Sequence, residues 1–91
     1  MDEPEKVRIA NIIKKARKDH GLSQTQFANT ISQHLPKDVK KQDVSKWENE
    51  RTTPDYWLVF ALCFVPNDSS WVISMANKIW EILNEKYEAP F

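Results

Sequence analysis

The chain contains a single glycine, Gly21, among its 91 residues. Tight hairpin turns and phosphate-binding loops depend on glycine, because glycine adopts positive φ angles without steric cost. A chain with one glycine is therefore a poor candidate for a β-hairpin protein or for an active site built from loops. The sequence predicts a mostly helical, all-α fold.

The length and the cysteine and histidine content limit the protein further. Ninety-one residues correspond to one small domain, and Cys63 alone can form neither a disulfide framework nor a cysteine-based zinc site. His20 and His34 have no second ligand at metal-binding spacing. Residues 1–8 are not a signal sequence, and the longest apolar run, residues 57–65, is too short for a membrane span. We expect a soluble, cytoplasmic protein with no cofactor and no metal.

Apolar periodicity and capping residues predict five helices, of which the first two are the clearest. The first spans about residues 4–19. The second starts at Gln24, where Ser23 and Gln26 match a capping box, and its apolar face continues as far as Leu35.

The third and fourth helices are predicted to be short. Asp38 is the candidate N-cap of the third, which contains Trp47 and is rich in lysine. The fourth is predicted to begin with Thr53 as N-cap and Pro54 at the first helical position, and to end before Pro66. Charged runs are often only solvated faces, so the lysines alone do not indicate a function.

The last helix is predicted to be capped within residues 67–70 and to continue to about Glu88. Its apolar arc covers roughly 200° at about 100° per residue, whereas a helix that serves one core needs little more than about 100°. The excess indicates a second buried contact, which the N-terminal segment or the C-terminal tail could also supply. We expect a two-fold dimer interface on one flank, formed by Ile73, Trp80 and Tyr87.

The formal net charge is zero, but the charges are unevenly distributed. Residues 1–51 contain 11 Lys and Arg against 8 Asp and Glu, whereas residues 52–91 contain 2 against 5. Within residues 6–46 the count is 10 against 3. The N-terminal half is thus basic and suited to a polyanion.

Four segments share their order and most of their spacing with a known family. They are Gly21-Leu22-Ser23-Gln24, Phe27-Ala28, Val44-Ser45-Lys46-Trp47-Glu48-Asn49 and Arg51-Thr52-Thr53-Pro54. With these segments, about residues 8–66 resemble the helix-turn-helix domain of the Cro and phage-repressor (XRE-type) family. The resemblance implies a five-helix, lambda-repressor-like domain whose third helix enters the DNA major groove.

The sequence departs from the family pattern in two places. The interval from Ala28 to Ser45 is about six residues longer than usual, and Ser32 stands where glycine is typical. We interpret the additional residues, near 33–38, as one more turn of the second helix and a longer loop. The second departure is Glu50, at a position where glycine commonly follows the asparagine.

A recognition helix is expected to make two kinds of DNA contact, one with base edges and one with phosphates. Long donors near the helix start reach base edges, as Lys does to guanine and Gln to adenine. The expected base-reading residues are Lys41, Gln42, Ser45 and Lys46. Helix N-termini, amides and flexible cations bind phosphates, so the expected phosphate contacts are Gln24, Lys40, Asn49 and Arg51.

Two acidic residues of the third helix need separate explanations. The resemblance implies that Arg17 and Glu48 form a partly buried salt bridge that orients the recognition helix. Asp43 would repel phosphate at the DNA surface unless it accepts from cytosine or is turned aside.

The function expected is sequence-specific DNA binding by a transcriptional regulator, a repressor, that binds a palindromic operator as a dimer. Residues 1–66 would form the DNA-binding core and residues 67–91 the dimerisation helix and tail, with control by operator occupancy because no effector domain follows residue 91. The alternative is an antitoxin or protein-interaction module that binds a protein partner through the C-terminal apolar helix. Catalysis is not expected, because no nucleophile with a histidine partner is present.

Overall fold

The computed structural model describes residues 3–65 and 70–87 of the chain, with side chains described over residues 5–65 and 70–85. Within those residues all regular structure is helical, which confirms the all-α prediction. The five helices in order are α1 (Glu3–Asp19), α2 (Gln24–Ser32), α3 (Lys41–Glu48), α4 (Tyr56–Leu62) and α5 (Ser70–Tyr87).

A single apolar core joins the five helices. Helix α5 packs against α1 and α4, and α3 packs against α1 and α2. Phe27 from α2, Val44 from α3 and Val72 from α5 are completely buried. Because these side chains form one contiguous cluster, the position of α3 depends on the same core as the other four helices.

The start of α2 is as predicted, but its end is not. The Ser23 hydroxyl accepts from the Gln26 amide N–H, and the Gln26 side chain accepts from the Ser23 N–H, which completes the capping box at Gln24. The expected extra turn to Leu35 is absent, because the helix ends at Ser32. Two turns with hydrogen bonds between residues three apart follow it instead.

The end of α2 is fixed by a side chain. The Ser32 hydroxyl accepts from the Val39 N–H at 2.7 Å and donates to the Val39 carbonyl at 3.1 Å. Val39 is buried, so the returning chain is anchored in the core as well. All the additional length of the α2–α3 connection is therefore loop between these two residues, and none of it is helix.

The predicted caps of α3 and α4 were each two residues early. Lys40, not Asp38, is the N-cap of α3, and the Asp43 carboxylate accepts from the Lys40 N–H at 3.1 Å. Asp55, not Thr53, is the N-cap of α4. In each case the two residues after the predicted cap have no regular structure, and the helix begins only after them.

Helix α5 agrees with the predicted C-terminal helix as far as it is described, through Tyr87. The predicted capping residues 67–69 and the predicted end at Glu88 lie outside the described residues.

Helices α1 and α3 end in the same backbone motif. After α1, the Gly21 N–H donates to the Lys18 carbonyl, and the N–H of the next residue donates to the Arg17 carbonyl. After α3, the Glu50 N–H donates to the Trp47 carbonyl, and the Arg51 N–H donates to the Lys46 carbonyl. This is the Schellman motif, which needs a positive φ at the residue after the C-cap. Gly21 has φ +65° and Glu50 has φ +63°. Glu50, the departure noted in the sequence, therefore holds a conformation that favours glycine.

We expect Glu50→Gly to stabilise the fold, because an L-residue in the left-handed region costs about 1–2 kcal/mol and glycine offsets only part of this through its larger unfolded-state entropy. The net gain in the free energy of unfolding should be roughly 0.5–1 kcal/mol, measured by urea denaturation. Gly21→Ala is the matched control, since nothing lies within 4 Å of the added Cβ. It should destabilise by about 1 kcal/mol. A Glu50→Gly variant less stable than the parent would contradict this account.

An exposed ion pair connects α1 to α5. Arg8 Nη1 lies 2.9 Å from Glu85 Oε1, and this hydrogen bond lowers the pKa of Glu85 below its ordinary value. The pair therefore favours the folded state at neutral pH, and its contribution is lost as pH falls through the lowered pKa.

In an NMR titration of the side-chain carboxyl, Arg8→Gln should raise the pKa of Glu85, whereas Lys15→Gln should leave it unchanged.

Candidate nucleic-acid interface

Helix α3 has one buried and one exposed face. Val44 and Trp47 are buried, as the sequence predicted. The exposed residues Lys41, Gln42 and Lys46 lie on the other side of the helix. The core thus fixes which side chains α3 presents to the outside.

Six of the predicted DNA-contacting residues line one open surface. They are Lys41, Gln42, Ser45, Lys46, Asn49 and Arg51. Three carry a positive charge and three are polar donors or acceptors, and no acidic residue lines this surface. Such a set matches the negative phosphates and the polar base edges of a duplex.

Both acids of α3 are hydrogen-bonded within the protein. The partly exposed Asp43 carboxylate accepts from the Lys40 N–H, so it is turned toward the start of the helix, and it lines the groove beside Trp57 and not this surface. Glu48 is 4% exposed and lies beneath the surface. With both carboxylates engaged, the exposed face of α3 is positive although the helix carries two acids and two lysines.

The ion pair expected between Arg17 and Glu48 is present. Arg17 Nε lies 2.7 Å from Glu48 Oε2, and Arg17 Nη2 lies 3.0 Å from Glu48 Oε1. The remaining Arg17 Nη1 donates to the Leu22 carbonyl at 2.9 Å. This bidentate pair, with side chains 14% and 3% exposed, connects the end of α1 to the end of α3.

A third residue completes the network. Gln24 Nε2 donates to Glu48 Oε1 at 3.2 Å. The hydrogen bonds that Arg17 donates to the Glu48 carboxylate raise the pKa of Arg17, although burial acts against this. Among the described residues no buried side-chain nitrogen or oxygen lacks a partner. Gln24 was predicted to bind phosphate. Its contact with Glu48 is additional, and the positions of the two residues in the sequence did not indicate it.

The other predicted phosphate contacts lie at both ends of α3. The Asn49 amide donates to the Ser45 carbonyl and hydroxyl at 2.8 and 3.2 Å, so it closes the helix and orients the Ser45 side chain. Lys40 lines a neighbouring groove together with Lys41.

That groove also contains residues that the sequence analysis missed. Thr25 and Asn29 are exposed on α2 and line the groove with Lys40. Their spacing of four residues places them on one side of α2. This spacing was readable from the sequence, but only the packing of α2 against α3 shows which side faces the groove. Both are hydrogen-bonding residues suited to a phosphate backbone.

Two residues predicted at a dimer interface, Ile73 and Trp80, are partly buried against the protein's own core. The Trp80 ring stacks on Tyr56 with ring centroids 4.6 Å apart. On the opposite flank of α5, Trp71 stacks on His20 at 4.4 Å. Intramolecular contacts thus use part of the wide apolar arc. The side chain of Tyr87, the third predicted interface residue, is outside the described part.

No group of three His, Cys, Asp or Glu within the described ranges is arranged to hold a metal. No described helix has the length and apolarity required to cross a bilayer. Comparison with protein-family models, with curated proteins and with solved structures found no match. The function is therefore argued from the residues and their geometry alone.

We expect Glu48→Ala to destabilise the fold by about 3 kcal/mol, because Arg17 is left largely buried without its counter-charge. The low end of the range for a broken buried pair applies, since Arg17 keeps some contact with water. Thermal melting followed by circular dichroism measures the loss. Glu81→Ala, which removes an exposed carboxylate, is the control and should melt within about 2 °C of the parent. Equal melting of both variants would rule out a stabilising role for the pair.

Proposed function

We propose that this protein is a sequence-specific DNA-binding transcriptional regulator of the helix-turn-helix type, acting as a dimer on a palindromic operator. One observation carries the proposal. The exposed face of α3 gathers three cations and three polar residues, while both acids of the same helix are engaged in internal hydrogen bonds. This arrangement supports the proposal because no described acidic residue lines the surface that these six residues form, so its local potential is positive.

The geometry supports two roles on this face. Lys41 and Gln42 lie in the first turn of α3, where long side chains can reach the bases. Arg51 follows the helix, and Lys40 precedes it, so these cations flank the face and suit the phosphates on either side of a groove. The Arg17–Glu48 pair positions α3 and makes no DNA contact in this proposal.

The test is selection of duplexes from a random-sequence DNA library at two salt concentrations. We expect an enriched inverted repeat with half-sites about 34 Å, or one helical turn, apart. Lys41→Ala with Gln42→Ala should abolish the enrichment, since each good base contact contributes about 1–3 kcal/mol of discrimination. Lys78→Ala is the control, because it removes one positive charge from an exposed position of α5.

Salt dependence separates this proposal from a protein-interaction module or antitoxin bound through an apolar contact. A dimer that neutralises four to six phosphates should show a slope of log K against log salt of roughly −4 to −5. Retention without enrichment that vanishes at higher salt would contradict sequence reading. Absence of any duplex binding at low salt would contradict DNA binding altogether.

A further inference from the structure

Helix α4 and the turn after it expose large aromatic side chains. Trp57, Phe60 and Phe64 are 43%, 51% and 71% exposed. Their spacing of three and four residues places them on one side of the helix, while Leu58 and Leu62 face the core. We refer to Trp57, Phe60 and Phe64 as the α4 aromatic stripe.

The α4 aromatic stripe continues onto α5. The ring centroid of Phe60 lies 5.0 Å from that of Phe64 and 5.3 Å from that of Trp80. Tyr56 also stacks on Trp80, and its hydroxyl is hydrogen-bonded to Asn84. Ring contacts and the Tyr56–Asn84 hydrogen bond at the edge of the stripe therefore hold its side chains in place. Little side-chain entropy would be lost when the stripe binds a partner.

The charge pattern of the α4 aromatic stripe suits a second copy of the same chain. Helix α4 contains no charged residue. Beside Trp57, a groove is lined by Asp55 together with Lys37 and Lys46, so the charges at this edge are of both signs. A two-fold contact places a surface against its own copy, and a surface of one sign would repel itself. An uncharged aromatic stripe with charges of both signs at its edge avoids this electrostatic repulsion.

The exposed area of the α4 aromatic stripe is also consistent with a second copy of the chain as its partner. An aromatic side chain buries about 150–250 Å², so at these exposures the three rings offer roughly 350 Å². A stable interface takes about 800 Å² from each partner and consists of an apolar core inside a polar rim. The stripe therefore has the area expected of the core of one such interface.

We propose that the α4 aromatic stripe, extended by Trp80, is the centre of a two-fold interface between copies of this chain. The inference rests on the dimer of the proposed function and moves its centre from the flank of α5 to α4. Phe64, the most exposed of the rings, is its principal anchor.

The experiment is sedimentation velocity of the full chain between about 1 and 100 µM, without DNA. The parent should be a dimer in the upper part of this range. Phe64→Glu should raise the dimer Kd at least 30-fold, as expected for a buried aromatic anchor. Asn11→Glu, which adds the same charge at an exposed position of α1, should leave the Kd unchanged.

A mixing experiment separates a lost interface from a lost fold. Phe64→Glu and Phe64→Lys should each be monomeric. At a concentration where the parent is monomeric as well, both should show the parent's circular-dichroism melt, because Phe64 contributes little to the core. An equimolar mixture should dimerise, since opposite charges then meet across the two-fold contact. Trp57→Gln, which adds no charge, provides a further variant and should also weaken the dimer.

Two results would overturn the inference. A parent chain that is monomeric at 100 µM would leave a partner of different sequence as the occupant of the stripe. A Phe64→Glu variant that dimerises like the parent would place the interface elsewhere, such as around Ile73. Because DNA is absent from the sedimentation experiment, a dimer that selects no operator would remove the proposed DNA binding and leave this inference standing. A monomer that selects a single half-site would overturn this inference and the dimer of the proposed function, and would leave sequence-specific DNA binding standing.

Discussion

The Arg17–Glu48 pair is the interaction on which the geometry of the α3 surface depends. It joins the last turn of α1 to the last residue of α3, and the same guanidinium holds the Leu22 carbonyl in the turn that leads to α2. Gln24 adds the start of α2 to this arrangement. Three helix ends therefore meet at one carboxylate. The core fixes which face of α3 is exposed, and this carboxylate restricts the orientation of the helix further, because a bidentate contact requires a defined direction.

The same pair also determines the charge of the exposed face. An acid in the middle of a cationic surface would lower the local positive potential, and burying it without a partner would be costly. Engaging Glu48 with Arg17 avoids both effects. A contact that maintains the fold thus also keeps one acid of α3 off its outer surface. Asp43 remains partly exposed and caps the start of the helix by accepting from the Lys40 N–H.

Much of the fold could be predicted from the sequence, and the errors have local causes. The capping box at Ser23 and the turn at Gly21 are short-range signals, and both lie where predicted. The end of α2 was missed because Leu35 continues its apolar periodicity, whereas the actual stop is a hydroxyl bound to a residue seven positions away. The aromatic stripe was missed because the run 57–65 is apolar at every position, so periodicity could not show which rings face outward. The sequence could not show that Thr25 and Asn29 line a groove with Lys40, because this depends on how α2 packs against α3.

The double hydrogen bond between Ser32 and Val39 has a consequence for how this chain tolerates change. The segment between these residues enters and leaves the fold at one point, since a single hydroxyl binds both the N–H and the carbonyl of Val39. Residues 33–38 form a loop that this contact closes, and Leu35 packs from it against the core. The exposed part of such a loop can change in length while both hydrogen bonds at its base are kept. Because Gln33 and Asp38 line the groove beside Lys41 and Gln42, a change of that kind would alter what this side of α3 contacts.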